Sequence, residues 1–289
     1  MLNRIYSESW NVAFRNTPTG DILNNKSEPF TIIKNNFRYW AADPFVLEIK
    51  DKVYVFAELF DYILRRGILG YCTISDNKAS KWTPIIKEPY HLSFPCVFMQ
   101  DGVVYLMPES NAGEVLTLYK CEEFPCTWKR IKTLRSNVKF ADTTPMPFPW
   151  QRYAVTHSIN DVNDPKLLLI DTFGEEADRC VPHENTLRSR PAGHFLSYKE
   201  KMLRPAQYSE DNDKGYGKSL VFYECKFDGS EYSEIEFAEI KPEEQCYNKR
   251  IYLNGMHTYN SSEHYEVIDL KTRRFNPLDF IMRLLGKVF

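Results

Sequence analysis

Short apolar runs separated by polar turns recur along the whole chain. Four segments align without gaps and begin at Asp43, Phe94, Asp142 and Arg190, so neighbouring copies start about 50 residues apart. A fifth, looser copy begins at Gly255. Because no helical pattern of comparable length intrudes before residue 276, the repeat predicts a protein built of equivalent β-sheets.

Each of the first four copies has the pattern of a β-hairpin. Its first and last residues stand 15 apart, as Asp43 and Glu58 do, which leaves room for two strands of about six residues and a short turn. In the second copy the turn falls on Asp101 and Gly102, a dipeptide that favours the positive φ angles of a tight hairpin. Residues at the two ends of such a hairpin lie at the same edge of a sheet.

Two further apolar runs follow each hairpin, such as 69–74 and 82–86 after the first one. Four strands per repeat and about five repeats are typical of a β-propeller. The sequence therefore predicts an all-β, five-bladed β-propeller with a short C-terminal helix, and a β-sandwich is the alternative. We expect one domain, residues 1–289, with blades at roughly 37–88, 89–137, 138–186, 187–250 and 251–275, an N-terminal strand that closes the last blade, and a terminal helix at 276–289.

The C-terminal segment contains one short amphipathic helical pattern, with Pro277 at its start and Gly286 at its end. Packing against the rim of the propeller is the expected role of this helix. It is also a candidate for peripheral contact with a membrane surface.

Titratable residues occupy equivalent positions in several copies. The innermost strands of a propeller line a central channel, so residues at the same end of each hairpin converge on one face. A solvated rim of charges explains any one of these residues, but it explains the whole set poorly. The alignment places on that face Asp43, Glu58, Glu109, Asp142, His157, Arg190 and His257.

This set of side chains supports acid–base chemistry on a sugar. Two carboxylates across a funnel can lie about 6.5–9.5 Å apart, which leaves room for an acceptor between the base and the anomeric carbon. Arg190 offers a planar fork suited to a carboxylate or a phosphate. His157 and His257 suit hydrogen bonds to a sugar, general-base duty or weak coordination of an ion. Trp40 is a candidate to stack on a sugar face.

A second group of candidates lies in and after the fourth copy. Arg204 and Gln207, followed by Tyr216 and Lys218, would bring a guanidinium, an amide and exposed backbone N–H groups to one ligand. The Gly-Tyr-Gly run at 215–217 is too short for a phosphate-binding loop, and a plain turn is the alternative.

Composition narrows the function classes. The 37 basic and 39 acidic residues give a net charge of −2, so the chain lacks the basic character of a general nucleic-acid binder. The seven cysteines form no CxxC pair, so neither a zinc site nor a small disulfide framework is expected. No export signal or membrane span is recognised, which favours a cytoplasmic protein, either free or at the inner face of a membrane.

Several ordered motifs resemble one known family. They comprise segments 40–45, 56–58, 91–95, 107–110, 124–128, 190–193, 204–207, 216–217 and 255–258. Over about residues 35–272 the chain resembles the N-terminal propeller-like domain of plant glucosamine inositolphosphorylceramide transferases and related domains of bacterial surface-polysaccharide proteins. His91 and His194 fall in or beside these motifs and join the candidates for substrate binding.

More distantly, the chain resembles the five-bladed arabinanase, levansucrase and invertase superfamily. That resemblance implies catalytic roles for Asp43 and Asp142, which match aspartates of its first and third blades. Those hydrolases carry a general acid in the fourth blade, where this chain has Arg190. An arginine cannot protonate a leaving group at neutral pH, but it can neutralise a diphosphate. The departure favours transfer from a nucleotide-activated sugar over hydrolysis.

The leading hypothesis is therefore a glycosyltransferase of glycan assembly, with a nucleotide sugar as co-substrate and a glycan as acceptor. Asp43 would act as general base and Asp142 would tune it. The donor phosphates would be held by Arg190, Arg204 and Lys218. Sugars would be bound by Glu58, Glu109, His157 and His257.

Two alternatives stay open. One is an intracellular glycoside hydrolase that uses Asp43 as base and Glu109 as acid. The other is a non-catalytic glycan-binding propeller, since in the plant transferases a separate domain is expected to perform the transfer. No metal site is predicted, and the need for a divalent ion and the oligomeric state stay open as well.

Overall fold

Five antiparallel sheets make up the protein. The computed structural model describes residues 6–24, 28–174, 176–210, 215–249 and 253–285. The first five residues, which bear on the export-signal expectation, and Gly286, the expected helix end, lie outside these ranges. Four sheets follow one another along the chain, and the fifth joins strands from both ends of it. The five-bladed β-propeller predicted from the repeat is confirmed.

The chain opens with two strands, β1 (Tyr6–Asn16) and β2 (Thr31–Ile32). Blade 1 follows with β3 (Tyr39–Ile49), β4 (Lys52–Asp61), β5 (Arg66–Ser75), β6 (Lys78–Ala79) and β7 (Thr83–Ile86). Blade 2 contains β8 (Ser93–Gln100), β9 (Val103–Glu109), β10 (Val115–Glu123) and β11 (Thr127–Ser136). Blade 3 contains β12 (Phe140–Pro145), β13 (Tyr153–Ser158), β14 (Lys166–Asp171) and β15 (Arg179–Cys180).

Blade 4 contains β16 (Leu196–Tyr198), β17 (Lys201–Tyr208), β18 (Ser219–Phe227) and β19 (Tyr232–Ile240). The last strands are β20 (Tyr259–Ser261) and β21 (Tyr265–Phe275), and the helix α1 (Pro277–Leu284) ends the described chain. Short 3-10 turns lie at Asp21–Leu23, Asn111–Gly113, Thr186–Arg188 and Pro242–Glu244.

The fifth blade closes the ring with strands from both ends of the chain. Its order is β2-β1-β21-β20, and β1 pairs with β21 along its whole length, from Tyr6 opposite Phe275 to Asn16 opposite Tyr265. The N-terminal strand therefore joins the first residues to the last ones and leaves no gap between blades 5 and 1.

Apolar side chains fill the gaps between neighbouring blades. Between blades 5 and 1, Val12 and Phe14 of β1 pack with Val55 and Leu59 of β4, all fully buried. Between blades 1 and 2, Phe56 packs in a cluster that continues onto the second sheet. These apolar clusters lie farther from the central axis and hold the polar ends of the innermost strands around it.

The C-terminal helix packs on the rim of blade 1, as expected. Asn276 caps it by accepting hydrogen bonds from the backbone N–H groups of Leu278 and Asp279. Asp279 is buried and forms an ion pair with Arg65 in the β4–β5 turn. Within the described ranges, no helix is both long and apolar enough to cross a membrane.

The closure of the ring predicts a large cost for Phe14→Ala. The ring of Phe14 is fully buried between blades 5 and 1, so its removal should lower the free energy of unfolding by about 3–5 kcal/mol. Tyr6→Ala on the same strand removes an exposed ring and should cost less than about 1 kcal/mol. Urea unfolding measures both variants, and equal losses would contradict this account of the closure.

Candidate functional site

The same backbone irregularity occurs in the innermost strands of blades 1, 2 and 3. Asp43, Phe94 and Asp142 have φ angles of 51°, 43° and 54°, and the ladder register shifts at each of them. Left-handed backbone is unfavourable for residues other than glycine, although aspartate tolerates it better than most. Bulges of this kind re-aim side chains and are frequent beside functional sites.

The second strands contribute five side chains at equivalent positions. In blades 1 to 3 each pairs across the ladder with the residue just before the bulge. In blades 4 and 5 each donates its backbone N–H to the carbonyl of Arg190 or Thr258. The five side chains, which we call the axial ring, are Glu58, Glu109, His157, Gln207 and Asp269. The gapless alignment put Pro205 at the fourth place. The structure corrects this, because Gln207 donates its backbone N–H to the carbonyl of Arg190.

The carboxylate of Asp43 contacts Thr258 and His257 of blade 5. Its Oδ1 accepts the hydroxyl of Thr258 at 2.9 Å, and its Oδ2 accepts the backbone N–H of Phe94 at 3.1 Å. The Nε2 atom of His257 lies 3.6 Å from Asp43 Oδ1, and its Nδ1 atom lies 2.6 Å from Asp269 Oδ2. One imidazole therefore bridges two buried carboxylates.

Burial and charge tune these groups in opposite directions. Desolvation raises the pKa of Asp43 to about 6, against the nearby His257 that lowers it. Desolvation would lower the pKa of His257, but the charge and hydrogen bond of Asp269 outweigh it, so the net pKa is raised. Asp43 can thus exchange a proton near neutral pH beside an imidazole whose protonated form is favoured by its neighbours.

A second cluster centres on Arg190. Its Nε donates to Asp142 Oδ2 at 2.5 Å, and its Nη2 donates to Glu109 Oε2 at 2.9 Å. Gln207 also donates to Asp142 Oδ2, at 2.9 Å. The Arg190 side chain is 24% exposed, and the ring of Tyr216 lies 5.8 Å from its guanidinium carbon. The cluster therefore borders solvent through Arg190 while its carboxylates stay buried.

Glu109 and Glu58 are held toward their neutral forms. Desolvation raises the pKa of Glu109 well above its ordinary value, and the opposing effect of Arg190 does not offset it. Desolvation, followed by repulsion from Asp43 and Glu109, raises the pKa of Glu58 well above its ordinary value. Among described residues, no hydrogen-bond partner contacts Glu58 Oε1. A buried neutral carboxyl of this kind can donate a proton.

We call the central space bordered by the axial ring, Asp43, Arg190 and His257 the pit. Two histidines beside it are neutral. Burial, reinforced by Arg190, lowers the pKa of both His91 and His157 to about 4. The Nδ1 atom of His91 accepts the backbone N–H of Gly67 at 3.0 Å, so its proton lies on Nε2, which is 3.4 Å from Glu58 Oε1. In their neutral forms His91 and His157 suit hydrogen bonding to an uncharged hydroxyl group.

Aromatic rings complete one wall of the pit. Trp10 of β1 stacks on His257 with ring centroids 3.9 Å apart and planes at 11°. Tyr216 meets the same imidazole edge-on at 5.3 Å. Desolvation raises the pKa of Tyr216 well above its ordinary value, so its hydroxyl is a neutral hydrogen-bonding group facing Arg190.

Four sequence candidates lie outside this constellation, and for Arg204 and Lys218 this corrects the expected phosphate contacts. Arg204 is fully buried and paired in a fork with Glu234, with Nε and Nη2 donating at 2.8 and 2.6 Å, so it cannot reach a donor phosphate. Lys218 lies on the exposed surface in an ion pair with Glu210.

The other two candidates, Trp40 and His194, are half-buried and contact aromatic rings. Trp40 stacks on Phe60 of its own blade, with centroids 4.8 Å apart. His194 lies deeper along the axis, with Nε2 2.8 Å from the carbonyl of Val97 and its ring edge-on to Phe45. These contacts pack both side chains against neighbouring residues, and their expected substrate contacts stay predictions.

Sequence reasoning missed Asp269, Thr258 and Trp10 as pit residues. Asp269 carried a signal, because it is a carboxylate inside the apolar run 265–270 of the fifth copy. Trp10 carried none, because it precedes the first copy and reaches the pit only through the closure of the ring.

One group of side chains in the pit has the composition of a metal site. Ligand atoms of Asp43, His257 and Asp269 all lie within 4.8 Å of one another. The three residues already satisfy one another, since His257 contacts both carboxylates and Asp269 accepts three backbone N–H groups. The same contacts suit proton transfer between these side chains.

Comparison with known proteins supports the resemblance carried by the sequence motifs. A family model described as "Glucosamine inositolphosphorylceramide transferase 1, N-terminal" matches residues 20–158. The predicted resemblance is confirmed. The matched segment covers blades 1 and 2 and the first hairpin of blade 3, and so includes Asp43, Glu58, Glu109, Asp142 and His157.

Curated relatives carry the name of the same transferase. The protein called glucosamine inositolphosphorylceramide transferase 1 from Arabidopsis thaliana is 40% identical over 98 residues, which are 33% of this chain and 13% of the relative. Its namesake from Oryza sativa subsp. indica is 25% identical over 210 residues, 68% of this chain and 28% of the relative. The chain thus spans less than a third of the length of these transferases.

Solved structures support the fold alone. The catalytic domain of Coprinopsis cinerea GH62 α-L-arabinofuranosidase superposes with a TM-score of 0.57 at 11% identity, covering 89% of this chain and 97% of that one. An exo-1,5-α-L-arabinanase from a bovine ruminal metagenomic library superposes with a TM-score of 0.52 at 12% identity, covering 81% and 94%.

The raised pKa of Glu58 predicts a pH-dependent gain of stability in Glu58→Gln. The folded state holds this proton more tightly than the unfolded state, whose pKa is near the ordinary 4.5. The stabilisation is therefore complete below that value and is lost as pH rises toward the folded pKa. Relative to the native protein, Glu58→Gln should become more stable between pH 5 and pH 8, as measured by urea unfolding.

Glu231→Gln serves as the control, because it neutralises an exposed carboxylate and should follow the native protein at both pH values. If Glu58→Gln lost stability relative to the native protein as the pH rose, Glu58 would be an ionised, paired group, and its assignment as a proton donor would be wrong.

Proposed function

We propose that the pit carries out acid–base chemistry on a sugar in glycan assembly, by transfer from a nucleotide sugar to a glycan acceptor. The observation that carries the proposal is Asp43, a buried carboxylate with a pKa near 6 beside the Asp269-linked imidazole of His257. The names of the curated relatives support a transferase role. Under this proposal the donor is met in the cytoplasm.

Asp43 is suited to remove a proton from an acceptor hydroxyl. A general base works best when its pKa lies near the operating pH. After proton transfer, the neutral carboxyl stays hydrogen-bonded to Thr258 and to the backbone of Phe94. His257 and Asp269 lie behind the base and fix its position.

The leaving group needs positive charge rather than a proton. Of the three cations expected to hold a diphosphate, Arg190 is the one that borders the pit. Its charge is shared with Asp142 and Glu109, but the raised pKa of Glu109 favours the neutral form of that carboxyl. Part of the guanidinium charge is therefore open to a phosphate oxygen.

In the proposed transfer each bond that forms is matched by a bond that breaks. The acceptor O–H bond breaks and its proton goes to Asp43, while the acceptor oxygen forms a bond to the anomeric carbon. The bond between that carbon and the diphosphate breaks, and its electron pair leaves with the nucleoside diphosphate beside Arg190.

Glycoside hydrolysis is the second candidate, and Glu58 is the observation that favours it. A carboxyl kept neutral at physiological pH can protonate a sugar leaving group, while Asp43 activates a water molecule. Glu58 suits this acid role better than Glu109, the acid of the sequence-based hydrolase hypothesis, because Glu109 is tied to Arg190. The two candidates differ in whether the released sugar goes to water or to an acceptor.

Asp43→Asn tests the assigned base. Asparagine keeps the shape and tolerates the left-handed backbone but cannot accept a proton, so turnover should fall by about 10²–10⁴-fold. The measurement is release of nucleoside diphosphate from a panel of nucleotide sugars, with and without glycan acceptors, alongside sugar release from oligosaccharides. Asp101→Asn makes the same chemical change at another left-handed aspartate, in the β8–β9 turn, and should keep full activity.

The assay separates the rivals. Acceptor-dependent release of diphosphate supports transfer, and free sugar without a donor supports hydrolysis. Glycan binding by calorimetry with no turnover of any donor would overturn the transferase proposal and leave a glycan-binding propeller.

The pKa of Asp43 also predicts the acidic limb of the rate profile. Because the base must be deprotonated, kcat/KM should rise with pH and level off above about pH 6, falling about tenfold per pH unit below it. Steady-state kinetics from pH 4.5 to pH 8 measures the limb. Residual activity of Asp43→Asn should lack it, and an unchanged limb in that variant would assign the titration to another group.

A further inference from the structure

The C-terminal helix presents its apolar side to solvent. Ile281, Leu284 and Leu285 lie on one stripe at i, i+3 and i+4, and all three are exposed, Leu284 at 71%. The side that faces the protein carries the buried Met282 and Asp279, and Asp279 forms ion pairs with Arg65 and Arg283. A surface helix normally exposes mainly polar side chains, so this helix is unusual in exposing a second apolar stripe beside the side that it buries.

Exposed apolar residues from other elements extend the same surface. Phe275 at the end of β21 is exposed and lies opposite Tyr6 in the β1–β21 ladder, another exposed ring. Phe37 is exposed, and its carbonyl accepts a hydrogen bond from the helix cap Asn276. Ile63 is exposed in the turn that holds Arg65. These residues and the helix stripe make up what we call the apical patch.

The apical patch lies on the face that carries the mouth of the pit. The turn with Ile63 follows Glu58 at the end of β4, and Phe37 precedes β3, which enters the pit at Asp43. Tyr6 is the first residue of β1, the strand that also carries Trp10, and Trp10 stacks on His257. A flat partner that covers the patch would therefore face the pit.

Around the patch, several arginines are exposed while their carboxylate partners are buried. Arg38 is 44% exposed while its partner Asp61 is fully buried, and Arg283 is partly exposed while its partner Asp279 is buried. Arg273 is exposed at the end of β21. One pair has the opposite arrangement, since Glu8, opposite Arg273, is 45% exposed and pairs with the buried Lys271. The exposed charges around the patch are still mostly guanidinium groups, which gives the surface a positive potential.

We propose that the apical patch docks the protein on an anionic phospholipid surface, with the pit facing the headgroups. Outward apolar side chains on a helix that lies along the surface, bordered by arginines, are the combination that binds anionic membranes peripherally. The apolar stripe supplies the buried area, and the outward guanidinium groups match the lipid phosphates in charge.

Flotation with vesicles tests the proposal. The full chain should float with vesicles of phosphatidylcholine and phosphatidylglycerol, bind vesicles of phosphatidylcholine alone more weakly, and lose binding as salt is raised. The double variant Ile281→Gln, Leu284→Gln should bind at least about tenfold more weakly, since each side chain contributes apolar burial. Both positions are exposed, so the fold should be kept.

The double variant Met99→Gln, Ile235→Gln is the matched control. It removes exposed apolar residues beside the β8–β9 turn, at the strand ends away from the pit, and on the outermost strand of blade 4, so it should float like the native protein. Asp43→Asn should also float normally, which makes this test independent of the proposed chemistry. Absence of flotation, or equal flotation of the helix variant, would overturn the proposal. A dimer in sedimentation that the helix variant separates, without lipid binding, would assign the patch to self-association instead.

Discussion

The carboxylate of Asp269 is the interaction on which the pit depends. It accepts the backbone N–H groups of His257 and Thr258 in its own blade and that of Asp43 in the first blade, all at 3.0 Å. It also contacts the imidazole of His257. This is the seam where the ring closes, so a single buried charge fixes both the backbone of the proposed base and the group behind it.

Burying so many acidic groups around one axis is costly, and the protein limits the cost in two ways. Where a carboxylate has donors, as Asp269 and Asp142 do, hydrogen bonds and Arg190 stabilise its charge. Where it has few, as at Glu58, the proton is retained instead. Like charges repel, so the pit residues do not hold one another together. The apolar layers between the blades keep them close to one another. The result is a set of acids with different proton affinities within one pit.

The sequence predicted the frame of this site well in the first three blades. Hairpins of equal length fix the register, so Asp43, Glu58, Glu109, Asp142 and His157 could be placed from spacing alone. The fourth blade broke the rule, because residues 191–195 precede its first strand and shift the axial position to Gln207. Arg204 could not be judged from spacing, since its partner Glu234 comes from the outermost strand of the same blade. Pairings of that kind depend on the folded sheet.

The left-handed bulge has a consequence for how such a frame changes its chemistry. In the first three blades the same left-handed conformation occurs twice at an aspartate and once at Phe94, whose ring packs in the apolar cluster between blades 1 and 2. Phe94 still serves the neighbouring blade, because its backbone N–H, not its ring, supports Asp43. Architecture and reactivity are therefore separable at these positions: the main chain carries the scaffold, and the residue identity is left to natural variation. A descendant of this ring can gain or lose an acid by one codon change while every strand pairing stays as it is.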